Sequence, residues 1–245
     1  MKIIENVRYA EHAPCLLDMY LPESKRFKTV VDFHGGGLEA GDKGEKVFRK
    51  TGAYLAEKGA AFIAVNYRMY PEAKFPDFIE DAAKAVAYIA RQIASYGGSG
   101  EIYVAGHSAG AYLTLMLCLD KRYLLREGVN GGEICGWLSD SAQTTVHFNV
   151  LRERGEDSRV ERLDDAAPLF FSDGNAAFSK LLLLSYEDDM PCRLTQNRLL
   201  CESLRRFGKE NVRLKVLKGV HTQACLTDKN GNYPIAEILL RFIEE

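Results

Sequence analysis

Three stretches of this sequence bring together residue types that can carry out acyl transfer. Gly106-His107-Ser108-Ala109-Gly110 fits G-x-S-x-G, the turn that presents a nucleophilic serine between a strand and a helix. Its glycines remove the Cβ atoms that would clash in so sharp a turn, and the helix that follows points its first N–H groups at the site, which favours an oxyanion. Upstream lies His34-Gly35-Gly36-Gly37, a loop of the type whose backbone N–H groups supply one half of an oxyanion hole. The residue after the nucleophile, Ala109, supplies the other half. His34 and His107 each stand inside a motif, where they are expected to shape the loops rather than to transfer protons.

A serine hydroxyl needs a base, and the base needs an orienting acid. The chain order that accompanies this motif is serine, then acid, then histidine. Of the five histidines only His147 and His221 follow Ser108. His147 falls in an irregular stretch, whereas His221 lies in the turn Gly219-Val220-His221 directly after an apolar run, where a loop can bring a side chain over the edge of a sheet. His221 is therefore the expected base. For the acid, LLLLSYEDDMP offers Glu187, Asp188 and Asp189; a position beyond the strand end disfavours Glu187 and leaves the two aspartates equivalent by spacing.

A different class of function competes for the glycine loop. Gly35-Gly36-Gly37-Leu38-Glu39-Ala40 also fits the dinucleotide-binding pattern G-x-G-x-x-A after a strand. That fold requires an acidic residue at the end of the next strand, and AAFIAVNYR ends instead in Asn66, Tyr67 and Arg68.

These motifs need a scaffold, and the pattern of the chain supplies one. Short apolar runs alternate with longer amphipathic stretches, the signature of strand–helix–strand units around a mostly parallel sheet with helices on both faces. Strands are expected at 16–21, 29–33, 60–67, 101–105, 134–138, 180–185 and 212–217, and helices at 46–58, 78–96, 109–119, 193–207 and 234–245. Between Gln143 and Asp165 the periodicity fails and charge dominates (LRERGEDSRVER), which is read as a small cap or insertion with a solvated face. No repeat or linker interrupts the pattern, so residues 1–245 are expected to form one domain.

Composition narrows the partners. The 245 residues are 47% hydrophobic and 27% charged, with a net charge of −2, which provides no basic footprint for nucleic acid or anionic lipid and leaves a small-molecule substrate as the expected partner. The six cysteines lack metal-ligand spacing and read as small buried apolar residues; no metal or other cofactor is called for. With no signal-peptide pattern and no long apolar run, the expected location is the cytoplasm.

Taken together, LDMYLP (17–22), HGGG with GDK after it (34–37, 41–43), NYRMYPEAKFP (66–76), GHSAGAYL (106–113), DAAPLF (165–170), EDDMP (187–191) and GVH (219–221) resemble the α/β-hydrolase esterases of the hormone-sensitive-lipase and acetyl-esterase kind, including acetyl-xylan-esterase-like and kynurenine-formamidase-like members. The resemblance spans nearly the whole chain. It implies an α/β-hydrolase fold and a serine carboxylic-ester hydrolase acting on short-acyl, acetyl-type esters. It also places the acid on Asp189, because the family's acid comes shortly before a proline. The chain departs from the family pattern in two places: Ser185 and Tyr186 stand where a glycine precedes the acid, and Leu38 replaces a bulky aromatic after HGGG. The triad Ser108, Asp189 and His221, with Gly36, Gly37 and Ala109 around the oxyanion, is the resulting expectation. An amide hydrolase of the formamidase type would share these residues, and an inactive ligand-binding member would share the fold.

Overall fold

The computed structural model describes all 245 residues. Eight strands form one sheet in the order β1-β2-β4-β3-β5-β6-β7-β8. They are β1 (Lys2–Arg8), β2 (Leu16–Leu21), β3 (Phe27–Phe33), β4 (Ala61–Val65), β5 (Gly98–His107), β6 (Gly136–Asp140), β7 (Leu181–Asp188) and β8 (Val212–Val220). β2 runs antiparallel to β1 and to β4, and all later pairings are parallel. The connections between the parallel strands carry α1 (Lys46–Glu57), α2 (Asp77–Gln92), α3 (Ala109–Leu119), α4 (Lys121–Arg126), α5 (Phe148–Glu153) and α6 (Arg193–Arg206), and α7 (Pro234–Glu244) closes the chain. This is the α/β-hydrolase fold.

The sheet divides the apolar interior in two. Along β3 the side chains alternate, Val31 and Phe33 joining the larger core with α2 and α3, Val30 joining the smaller one with α1 and α7. α2 is amphipathic and turns Phe78, Ile79, Ala82, Val86 and Ile89 inward. α3 is buried at all eleven positions, as its almost wholly apolar composition requires, and the hydroxyl of Thr114 is satisfied within the helix by donating to Gly110 O. None of the helices is long and apolar enough to cross a membrane.

Several expectations shift. β1 escapes a periodicity reading because it is an edge strand whose residues are mostly exposed. The helix expected over 78–96 ends at Gln92 and finishes as a 3-10 turn over Ile93–Tyr96, stopped by Gly97 in the left-handed region. The stretch 143–165 has two characters. Thr144, Val146, His147, Asn149, Val150 and Leu151 are buried beneath the C-terminal edge of the sheet, while the charged run after them is exposed. Of the cysteines, only Cys15, Cys118 and Cys201 are buried; Cys192 is exposed because it caps α6 in a turn with φ 64°.

Candidate active site

Ser108 sits between β5 and α3 at φ 54° and ψ −115°, a conformation that a non-glycine residue holds only when its surroundings enforce it. Its N–H donates to Asp140 O at 2.8 Å, tying the turn to the end of β6, and its carbonyl accepts from Tyr112 N–H. Gly110 lets this turn press against the neighbouring loop. A Cβ there would lie 2.0 Å from Phe33 O and 2.6 Å from His34 O, so the first turn of α3 rests on the backbone at the end of β3.

That contact puts the His34–Gly37 loop beside the serine. Gly36 lies at φ 103°, where a side chain would meet Ala40 O at 2.0 Å. The N–H groups of Gly36 and Gly37 donate to no protein atom, whereas their neighbour Gly35 donates to His107 Nε2 at 3.1 Å. Ala109 opens α3, so its N–H belongs to the donors that a helix leaves without an internal acceptor. His34 stacks on Tyr67 with ring centroids 4.4 Å apart, and burial lowers its imidazole to about 4, keeping it neutral. His34 and His107 thus both contact the backbone or rings that shape the glycine loop.

Beyond the parallel edge, His221 follows β8 and Asp189 follows β7. His221 Nε2 lies 2.9 Å from Ser108 Oγ, and His221 Nδ1 lies 2.6 Å from Asp189 Oδ1. Asp188 ends β7 with an exposed side chain, Glu187 is exposed beside it, and neither makes a hydrogen bond to the imidazole. The carboxylate of Asp189 is 1% exposed. Burial pushes its pKa up, but the hydrogen bonds from His221, Ser141 and the Met190 N–H outweigh that effect and hold the group below the usual aspartate value. His147 lies apart from this line. It is buried, stacks on Phe148, and accepts from Asn149 N–H as the cap of α5.

Two residues that motif reasoning passed over complete the arrangement. Ser141, just past β6, is fully buried at φ 61° and donates to Asp189 Oδ2 at 2.8 Å. Asn149 on α5 donates through Nδ2 to Gly37 O, pinning the glycine loop to that helix. The only sequence clue to either was its place just after a strand end or inside the irregular segment. Asp140, next to Ser141, is a further buried carboxyl. Burial pushes it up to about 7, the charge of Asp189 adds to this, and hydrogen bonds with Tyr186, Cys225 and Ser141 oppose it. Lys43, of the GDK stretch, is buried with its Nζ on Asp18 and Asn6, which anchors the far end of the glycine loop to the antiparallel edge.

A family model described as BD-FAE matches residues 17–148, more than half of the chain and the part that carries both glycine motifs. The chain belongs to the BD-FAE family. Among related sequences, a probable isoprenylcysteine alpha-carbonyl methylesterase of Oryza sativa subsp. japonica is 37% identical over 152 residues, covering 61% of this chain and 34% of that protein. Kynurenine formamidase of Danio rerio is 32% identical over 114 residues, covering 46% of this chain and 37% of that protein. This BD-FAE chain thus spans about a third of the length of these curated relatives. Among solved structures, a truncated carbohydrate esterase from gut microbiota superposes with a TM-score of 0.78 at 18% identity, covering all of this chain and 97% of that one. Thermogutta terrifontis esterase 2, phosphoramylated by tabun, superposes with a TM-score of 0.79 at 20% identity, over 98% of this chain and 93% of that one. At such identities the likeness establishes the fold that this BD-FAE member shares with esterases.

Proposed function

We propose that this protein is a serine esterase that hydrolyses small carboxylic esters with short, acetyl-type acyl groups through Ser108, His221 and Asp189. The observation that carries this reading is the continuous hydrogen-bonded line from Ser108 Oγ through both ring nitrogens of His221 to a buried, ionised Asp189. With Nδ1–H donating to Asp189, Nε2 accepts the serine proton as Oγ attacks the ester carbonyl. The N–H groups of Gly36, Gly37 and Ala109 receive the oxyanion, and His221 passes the proton to the leaving alcohol. Water then attacks the acyl-enzyme by the same route, His221 acting again as base. Each step uses protein groups alone, so the reading calls for no cofactor.

The test is Ser108→Ala assayed on p-nitrophenyl acetate. Hydrolysis is expected to fall to background while the thermal unfolding midpoint stays close to that of the wild type; comparable turnover by both proteins would sink the reading. The formamidase relative supports a second reading, hydrolysis of an N-formyl amide by the same residues. Parallel assay of an N-formyl aryl amine and an O-acetyl ester separates the two.

A further inference from the structure

Arg193, the first residue of α6, is 5% exposed, yet no carboxylate lies within 4.0 Å of its guanidinium. Its side-chain contacts are a long hydrogen bond from Nη2 to Gln143 Oε1 at 3.4 Å and an approach to Met190 Sδ at 4.0 Å. The contrast with the other buried cation is clear, since Lys43 has Asp18 at 2.7 Å. Buried charges in proteins are paired, or they await a ligand. Position makes the deficit larger. The positive end of the α6 dipole is at Arg193, the first turn of the helix contains no acidic residue, and no side chain caps it.

The nearest acidic groups are already engaged. Asp189 accepts from His221, Ser141 and Met190, and Glu161 accepts from Thr145 and Gln196. Burial accordingly lowers Arg193 to about 10, against the opposing pull of the more distant Asp189 and Glu161 charges. The group remains charged at neutral pH. It stands beside the candidate site: four residues after Asp189, and sharing Gln143 Oε1 with the N–H of Phe148, whose ring covers Gly37. His147 is close enough to feel its charge.

We propose that Arg193 receives a carboxylate carried by the substrate, so that the esters this protein prefers bear a free anionic group in addition to the bond that is cleaved. This specificity rests on the esterase reading above. The guanidinium and the N–H groups of Leu194 and Thr195, which have no acceptor in the protein, would share the anion, the forked donor geometry suiting a carboxylate held in two places.

The experiment compares kcat/KM for matched esters with and without a carboxylate: monomethyl succinate against methyl butyrate for the acyl side, and O-acetyl-lactate against isopropyl acetate for the alcohol side. Wild type is expected to favour the anionic member of at least one pair. In Arg193→Gln that ratio should fall about tenfold or more, with Arg193→Lys retaining part of it. Succinate should raise the thermal midpoint of wild type and not that of Arg193→Gln. Without ligand, Arg193→Gln should unfold no earlier than wild type, because it removes an unpaired buried charge. Equal losses on all four esters, or an unchanged ratio, would assign Arg193 a supporting role and overturn the proposal. Should no ester be turned over, the esterase reading fails by itself, and the succinate measurement still decides whether Arg193 binds an anion.

Discussion

Asp188 and Asp189 are the same chemical group one residue apart, and their surroundings make them different. The backbone turn after β7 directs one carboxylate to solvent and buries the other among three donors. An Asp189→Asn change leaves the shape but lets the amide stabilise the wrong imidazole tautomer, so the expected loss in kcat is about 10⁴-fold. Asp188→Asn, lacking contact with the ring, should remain within about twofold of wild type, as substitutions away from such features usually do. Ester-hydrolysis kinetics of both variants check this; a large loss in Asp188→Asn would move the acid by one residue. Sequence spacing alone could not separate this pair. Periodicity reports which face of a strand a residue occupies, and past the last strand residue there is no face to report. Ser141 was illegible for a similar reason: its role depends on a positive φ, and nothing in a lone serine announces one.

At the scale of elements, the motifs were legible because each is demanded by a contact between backbones. α3 begins and ends where its apolar run does, and the β3 and β5 strands carry the two glycine turns to the same end of the sheet. What escaped was the support given by non-periodic chain. In 143–151 every residue but Phe148 is buried, polar and apolar alike and partly in irregular chain, so the burial has no period to read, and the adjacent charged run masks it. The close approach at Gly110 gives the elements their strictest requirement. Gly110→Ala would drive a methyl into Phe33 O and force α3 away from the glycine loop. Overpacking of this kind costs roughly 2 kcal/mol or more, and the displaced donors should lower ester hydrolysis at least 100-fold. Thermal unfolding and p-nitrophenyl acetate turnover measure both; a variant with the midpoint and rate of wild type would show that the backbones do not touch.

For the whole molecule, buried titratable groups set a pH range. Burial and the charge of Asp140 push Asp32 up to about 8, and Asp140 itself is pushed up to about 7. Unfolding returns both to about 4. Between those limits the folded state holds protons that the unfolded state has lost, so stability falls as pH rises. His34 and His147, lowered to about 4 and about 3 by burial, act with the opposite sign between their folded values and about 6.5. Above about pH 6.5 the histidine contribution fades, and up to about pH 8, below the range in which the buried thiols and phenols titrate, the carboxyls set the slope. We propose that the chain, with one sheet built from residues 2–220, unfolds as a single unit. Urea transitions should then be single and should lose up to about 1.4 kcal/mol per pH unit for each proton between pH 6.5 and 8. Asp140→Asn should show a shallower decline than wild type; an identical decline would exclude Asp140 as one of the groups responsible.

α3 carries a consequence of another kind. A helix with eleven residues and no solvent face is a mutational bottleneck, since every replacement must fit a close-packed volume on all sides. The exposed run 152–162 bears no comparable constraint. Divergence can proceed there while the helix behind Ser108 stands still, so the surroundings of the site can change without disturbing the turn that holds the serine.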